Sequence, residues 1–337
     1  MTKDRKLDHI QLAFDSQTGF AEQDQRFIYE PMLAAHPNDE ENSFLFLGKM
    51  IRAPFWVSSM TGGTGVAEKI NKNIAQACRE FGFGMGLGSC RKILFDKTHW
   101  ADFDMRDTIG PDQPLWANLG IAQIEKLLQE KNEKAIIDLV GGLRADGLIV
   151  HVNPLQEWFQ PEGDHIERPP LETITHLMER IHIPLIVKEV GQGMGEDSLK
   201  RLLELPLAAI EFAAYGGTNF SNLELMREDP ATQEMYQPFA FVGQTAYQMV
   251  KTVNRLLQQM GEPRCRQLII SGGVKSYLDG YHLTSLSQLP AVYGMASAVL
   301  KHATGDYREL QTYLKNQLKA FRLAQQYLKL NPEYDGT

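Results

Sequence analysis

Eight short apolar runs punctuate the chain, and most are separated by stretches with helical periodicity. The runs are Pro54 to Met60, Phe83 to Leu87, Leu115 to Leu119, Leu148 to Val152, Leu185 to Val190, Leu207 to Phe212, Leu268 to Ser271 and Ala291 to Met295. Each is short enough for a buried strand and closes on glycine or polar residues, such as Thr61-Gly62-Gly63, Asn118-Leu119-Gly120 and Ser271-Gly272-Gly273. Between them the apolar spacing changes to that of helices, as in a stretch ending near Phe81, another from Ile121, and Glu172–Ile181, Asp197–Leu205 and Thr245–Met260. Strand and helix patterns that alternate eight times predict a parallel sheet closed into a (β/α)8 TIM barrel. A doubly wound open sheet is the competing arrangement. Tyr307–Tyr327 carries Leu310, Leu314, Leu318 and Phe321 at near-helical spacing and reads as the last barrel helix. Residues 219–240 form a polar insertion before the seventh unit, suited to a lid or a subunit contact.

Composition removes several function classes. The chain has 337 residues, 43% hydrophobic, enough for one large domain. A formal net charge of -8 argues against a general nucleic-acid-binding surface, so any functional positive charge has to be local. Cys78, Cys90 and Cys265 are widely spaced with no CxxC pair, which suggests neither a zinc site nor a disulfide framework and fits a reduced, cytoplasmic protein. The charged N-terminus lacks the apolar core of a signal peptide, and no apolar run approaches the ~20 residues of a membrane span.

Candidate chemistry gathers where the strands end. In a (β/α)8 barrel the C-terminal strand ends carry the active site, and here they bring Thr61, Ser89, Arg91, Asn118, His151, Asn153, Lys188, Thr218 and Gly272. After the run Gly147-Leu148-Ile149-Val150 come His151 and Asn153, which alternation places on one strand face, then Pro154 to end the strand and Gln156-Glu157. An imidazole, two amides and a carboxylate at one mouth suit a polar ligand; ordinary loop polarity is the plain alternative. Lys188, inside Ile186-Val187-Lys188-Glu189-Val190, needs an anionic partner if buried. Gly216-Gly217-Thr218, Ser271-Gly272-Gly273 and Gly294-Met295-Ala296-Ser297 follow successive strands, and their bare backbone suits phosphate oxygens, although each pair alone is a common turn. Gly191-Gln-Gly193-Met-Gly195 lacks the final glycine of a dinucleotide loop in register and is set aside.

Read in order, Arg5-Lys6-Leu-Asp-His9-Ile, Met60-Thr-Gly-Gly, Gly88-Ser-Cys-Arg91, Asn118-Leu-Gly, His151-Val-Asn-Pro-Leu-Gln-Glu157, Lys188-Glu-Val-Gly, Gly216-Gly-Thr and Ser271-Gly-Gly resemble type 2 isopentenyl diphosphate isomerase. The resemblance implies one FMN-dependent barrel domain over residues 1–337, with an N-terminal extension (1–50) that contributes to the substrate site. It implies an isoalloxazine ring near Met60, Thr61, Gly62, Ser89, Asn118 and Lys188, and a flavin phosphate held by Thr218, Gly272, Gly273, Ala296 and Ser297. Arg5, Lys6, His9, Ser89, Cys90 and Arg91 would bind the substrate diphosphate. Gln156, His151 and Asn153 would serve the reacting end, and Glu157 would hold Mg2+. The implied reaction converts isopentenyl diphosphate to dimethylallyl diphosphate on reduced FMN, with NADPH as the flavin reductant, in a homo-oligomer (tetramer or octamer). An FMN oxidoreductase of the hydroxy-acid oxidase kind, or a non-catalytic flavin-binding paralogue, is the alternative. The chain departs from the family pattern at Cys90, Glu211, Ala213, Ala214, Tyr277 and His282, most of them expected near the flavin phosphate.

Overall fold

The computed structural model describes residues 5–38, 43–59 and 61–336. Eight parallel strands form a closed barrel: β1 (Phe55–Val57), β2 (Gly84–Gly86), β3 (Leu115–Gly120), β4 (Gly147–His151), β5 (Leu185–Lys188), β6 (Ala209–Glu211), β7 (Leu268–Ser271) and β8 (Ala291–Met295). Closure is made by β8 on β1, with Tyr293 opposite Phe55 and Met295 opposite Val57. That pairing rules out the open sheet. Several strands are shorter than their apolar runs: β1 ends at Val57, β5 at Lys188 and β6 spans only Ala209–Glu211. Flanking residues still bond to the neighbouring strands, as where the Phe212 N–H donates to the Ile269 carbonyl and the Ser58 N–H to the Met295 carbonyl.

Side-chain alternation sorts each strand into two layers. Leu148, Val150, Leu185 and Val187 face outward, into the core beneath the helices. Trp56, Trp116, Ile149, Ile186, Ala209, Ile269 and Val292 face inward and fill the barrel. Two residues further along the same inward parity come Ser58, Asn118, His151, Lys188, Glu211, Ser271 and Gly294. The barrel interior is therefore apolar below and polar at the top, as strand geometry dictates once each run ends on a polar residue.

The helices form as their apolar spacing requires. Ala67–Phe81 buries Ile70, Ile74, Ala77 and Cys78 along one stripe and stops at Gly82, whose φ of 74° is the left-handed geometry of a helix C-cap. Tyr307–Tyr327 starts with Asp306 accepting from the Arg308 N–H and buries Leu310, Leu314, Leu318 and Phe321. Phe321 stacks on Tyr293 with ring centroids 5.3 Å apart.

An antiparallel hairpin, Phe44–Phe46 with Lys49–Ile51, closes the other end of the barrel. Phe46 and Ile51 pack under the inward tryptophans. Lys49 donates to the Pro111 and Gln113 carbonyls and pairs with Asp146 at 2.8 Å, all of them before strand starts. The expected role of residues 1–50 at the substrate mouth accordingly narrows to the segment before this hairpin. Further upstream, Phe27–Tyr29 pairs antiparallel with Leu328–Leu330, which ties the extension to the C-terminal helix.

Candidate active site

The loops after β5, β6, β7 and β8 surround a cavity of about 450 Å³ at the C-terminal end of the barrel. Lys188, Thr218, Gly272, Gly273, Ala296 and Ser297 all line it. The glycines are there for space. Gly272 has a φ of 88°, and a Cβ on it would lie 2.1 Å from the Ala214 nitrogen. A Cβ on Gly217 would lie 2.9 Å from the Gly273 nitrogen. The two loops thus pack backbone to backbone, and bare glycine backbone forms part of the wall. Ala213 adopts a φ of 42°, left-handed for a residue with a side chain, and its N–H donates to Ser271 Oγ at 3.0 Å. Ala213 therefore keeps the loop path despite its departure from the family pattern. Tyr277 and His282 lie away from this wall. His282 is stacked on Tyr247 and faces Tyr334 at the outer layer, so these departures do not touch the cavity.

Lys188 is only 6% exposed and sits on the inner face opposite Glu211 of the adjacent strand. Its Nζ donates to the Glu189 carbonyl at 2.8 Å. Glu211 is fully buried, and desolvation raises its carboxyl above the ordinary value while the nearby Lys188 charge opposes that shift. Ser271 Oγ donates to Glu211 at 3.2 Å. The Glu189 carboxylate accepts from the backbone N–H groups of Gly191, Gln192 and Gly193. The N–H groups of the glycine-rich run after β5 are thus already used by an internal carboxylate.

A second polar group adjoins this wall. His151 lies opposite Lys188 on β4. The Asn118 amide nitrogen is committed to the Leu87 carbonyl at 3.0 Å, so its oxygen faces His151 Nδ1 at 2.9 Å. That assigns the hydrogen to Nδ1 and leaves Nε2 as an acceptor. Burial, helped by the Lys188 charge, pushes the His151 pKa down to about 3, so the ring is neutral at physiological pH.

Strand β4 ends at His151, and Asn153 is not its next inward residue but the N-cap position of the helix Pro154–Phe159. Proline at the first helical position starts that helix. Its single turn brings together three polar side chains. Asn153 Nδ2 donates to Gln156 Oε1 at 3.1 Å and to Glu157 Oε1 at 3.0 Å, and Asn153 Oδ1 is buried with no partner among the described residues. Glu157 is buried, and its other oxygen accepts the Asp164 N–H at 2.8 Å.

The insertion reaches this cluster. It contains the helices Phe220–Leu225 and Pro230–Ala240, and Leu225, Ala240 and Tyr236 pack on Phe159. Gln156 Nε2 donates to Glu224 Oε1 at 3.1 Å, and Arg227 holds the other Glu224 oxygen at 2.7 Å. Glu224 and Asp164 adjoin this cluster and were missed by sequence reasoning. Glu224 lies in a segment whose only signal was polarity.

Of the remaining expected residues, Thr61, Gly62, Ser89, Cys90 and Arg91 lie after β1 and β2. The Thr61 backbone packs against Gly88, where a Cβ would lie 2.4 Å from the Thr61 oxygen, and this brings Thr61 beside Ser89. Gly62 is pressed against the Phe103 ring. Ser89 and Arg91 are exposed at the start of a short 3-10 turn. Cys90 is fully enclosed with its thiol on the Gly88 carbonyl, and burial pushes its pKa up to about 12. The expectation that Cys90 contacts substrate is corrected to this extent: its side chain faces the core. Lys6 and His9 are exposed on the helix Arg5–Leu12. Met60 and the Arg5 side chain lie outside the described residues.

These features define a (β/α)8-barrel protein with a glycine-lined cavity next to a histidine–amide–carboxylate cluster. No family model matches the chain. Its amino-acid sequence is 33% identical over 307 residues to the isopentenyl-diphosphate delta-isomerase of Rickettsia felis, covering 89% of this chain and 85% of that protein. It is 32% identical over 306 residues to the Rickettsia akari protein of the same name, with the same coverage. The chain belongs to the isopentenyl-diphosphate delta-isomerase family, in its type 2, barrel-fold branch. Among solved structures, a flavocytochrome b2 variant with benzoylformate superimposes with a TM-score of 0.62 at 13% identity, covering 93% of this chain and 78% of that one. A mandelate oxidase variant with a monooxide FMN adduct gives 0.54 at 13%, covering 91% and 89%. At such identity these two show the shared barrel fold.

Proposed function

We propose that the protein converts isopentenyl diphosphate to dimethylallyl diphosphate with reduced FMN and Mg2+, without net electron transfer. The observation that carries the reading is the adjacency of two sites. His151 and Lys188 are register neighbours, so the cavity and the His151–Asn153–Gln156–Glu157 cluster share one mouth.

The cavity suits FMN. Its wall has no side chains where Gly272 and Gly273 turn, Ser59 Oγ lines it with no partner among the described residues, and Lys188 supplies a buried positive charge. Thr218, Gly272, Gly273, Ala296 and Ser297 would hold the phosphate, and Lys188 would face the ring edge that gains negative charge on reduction. Reduced FMN supplies a ring-nitrogen proton donor and an electron-rich face to an unactivated alkene; NADPH would reduce it once, because the isomerisation consumes no electrons.

The chain's own residues then bind and orient. Ser89 and Arg91, with Arg5, Lys6 and His9 from the extension, would take the diphosphate, whose remote binding energy places the alkene. His151, neutral with its hydrogen on Nδ1, would present Nε2 to the site as an acceptor. Gln156 is held between Asn153 and Glu224, and its amide would sit beside the reacting carbons. Glu157 would be the one protein ligand of Mg2+. Among the described residues no group of three or more His, Cys, Asp or Glu is placed to hold a metal, and magnesium completes its shell with water and phosphate oxygens.

The test is turnover of isopentenyl diphosphate by the FMN-reconstituted, reduced protein in deuterated water. Dimethylallyl diphosphate with deuterium in a methyl group is expected. Stoichiometric NADPH consumption would assign an oxidoreductase instead. A tetramer or octamer is expected by light scattering.

A further inference from the structure

Asp164 has no part in the reading above, yet it touches both halves of the expected diphosphate site. Its Oδ2 pairs with Arg91 Nη1 at 2.9 Å and accepts from Gln123 Nε2 at 2.9 Å. Its main-chain N–H donates to Glu157 Oε2 at 2.8 Å. The loop carrying it is pressed onto the Pro154–Phe159 helix, since a Cβ at Gly163 would fall 1.9 Å from the Glu157 carbonyl oxygen. Gln123 is itself anchored deep in the rim: a Cβ at Gly120 would meet both Gln123 Oε1 and His151 Nε2.

We infer that Asp164 is a positioning residue that sets the diphosphate arginine and the magnesium carboxylate in one fixed relation. The inference rests on the reading that Arg91 meets the diphosphate and Glu157 the metal. Arg91 is half-exposed and long, and an unanchored guanidinium gives up rotamer freedom when it binds. One nitrogen held by Asp164 orders the group beforehand and leaves the rest of the planar fork for phosphate oxygens. The same residue's backbone fixes one Glu157 oxygen, so the arginine and the metal ligand share an anchor. Gln123, buried beneath, makes that anchor rigid.

The consequence is a paired loss. In FMN-loaded protein, Asp164→Ala is expected to weaken calorimetric binding of inorganic pyrophosphate with Mg2+ by about tenfold, the size of one lost charge-assisted contact. The KM for isopentenyl diphosphate and the half-activating Mg2+ concentration should rise together and by more than kcat falls, with flavin content unchanged. Asp164→Asn keeps an acceptor for Gln123 but loses the charge, and should fall between. The Arg91→Ala, Asp164→Ala double variant should lose less pyrophosphate affinity than the sum of the two single losses, because the two residues share the arginine contact. Strictly additive losses, or wild-type affinity in the asparagine variant, overturn the inference even if the alanine variant folds poorly. If the wild type isomerises normally while both Asp164 variants match it, this inference alone falls. If the wild type isomerises nothing, the functional reading falls with it.

Discussion

Lys188 and Glu157 are the two charges on which the site turns, and each is buried for a different reason. Lys188 reaches the interior because Ile186, two residues before it on β5, already points inward. A buried ammonium is stable only with anionic or carbonyl partners, which Glu211, the Glu189 carbonyl and a bound anion can supply. Lys188→Ala is expected to weaken reduced FMN by at least about tenfold, as for loss of a charge contact worth ~1.5–3 kcal/mol, and oxidised FMN less. Flavin titration under reducing and oxidising conditions measures the difference. Glu157 is buried by its helix turn and held by Asn153 and the Asp164 N–H. Glu157→Gln preserves shape and removes charge, so most activity and the response to added Mg2+ should disappear while flavin absorbance is kept. Full activity with unaltered magnesium dependence would place the metal elsewhere.

At the scale of elements, two segments outside the barrel belong to the proposed site. The insertion helices hold Gln156 through Glu224, and Arg227 neutralises that carboxylate from the solvent side. The Arg5–Leu12 helix is the other, with Lys6 and His9 on its exposed surface. Deleting residues 1–9 is expected to raise the KM for isopentenyl diphosphate strongly without altering flavin content. An unchanged KM would make the segment a solvated tail. The hairpin of Phe44–Phe46 and Lys49–Ile51 belongs to the opposite end, where it plugs the barrel and has no bearing on the mouth.

For the whole molecule, two buried histidines set the acid limit. His151 is pushed down to about 3 and His282 to about 4, both chiefly by burial. Each prefers its neutral form in the folded state, whereas the unfolded chain binds a proton near 6.5. Their contribution to stability is complete above that value and is lost as pH falls toward the folded values. Thermal melts between pH 7 and 5 should therefore show a falling midpoint. His282→Phe, which keeps a ring against Tyr247, should flatten that slope. An unchanged slope in that variant would move the acid sensitivity to other groups. Among the described residues no helix is long and apolar enough to cross a membrane.

Much of this was legible in the chain, because strand alternation is local. Apolar runs ending on polar residues determined that Asn118, His151 and Lys188 would crown a barrel, and the glycine pairs marked where two loops pack backbone to backbone. The helix stripe at Leu310, Leu314, Leu318 and Phe321 was likewise fixed by spacing alone. Only the tertiary structure decided what the local pattern leaves open. It turned Cys90 into the core, although the residue sits between Ser89 and Arg91 at the rim. It moved Asn153 from the strand to a helix cap, because the proline after it begins a helix rather than only ending a strand. It placed Tyr277 and His282 on a helix away from the cavity lining and left Ala213 with a left-handed backbone beside Gly272. It joined Glu224 to Gln156 across 68 residues of sequence and Asp164 to Arg91 across the barrel mouth. Those contacts form between elements whose separation along the chain carries no periodic signal; barrel closure alone brings them within hydrogen-bonding distance.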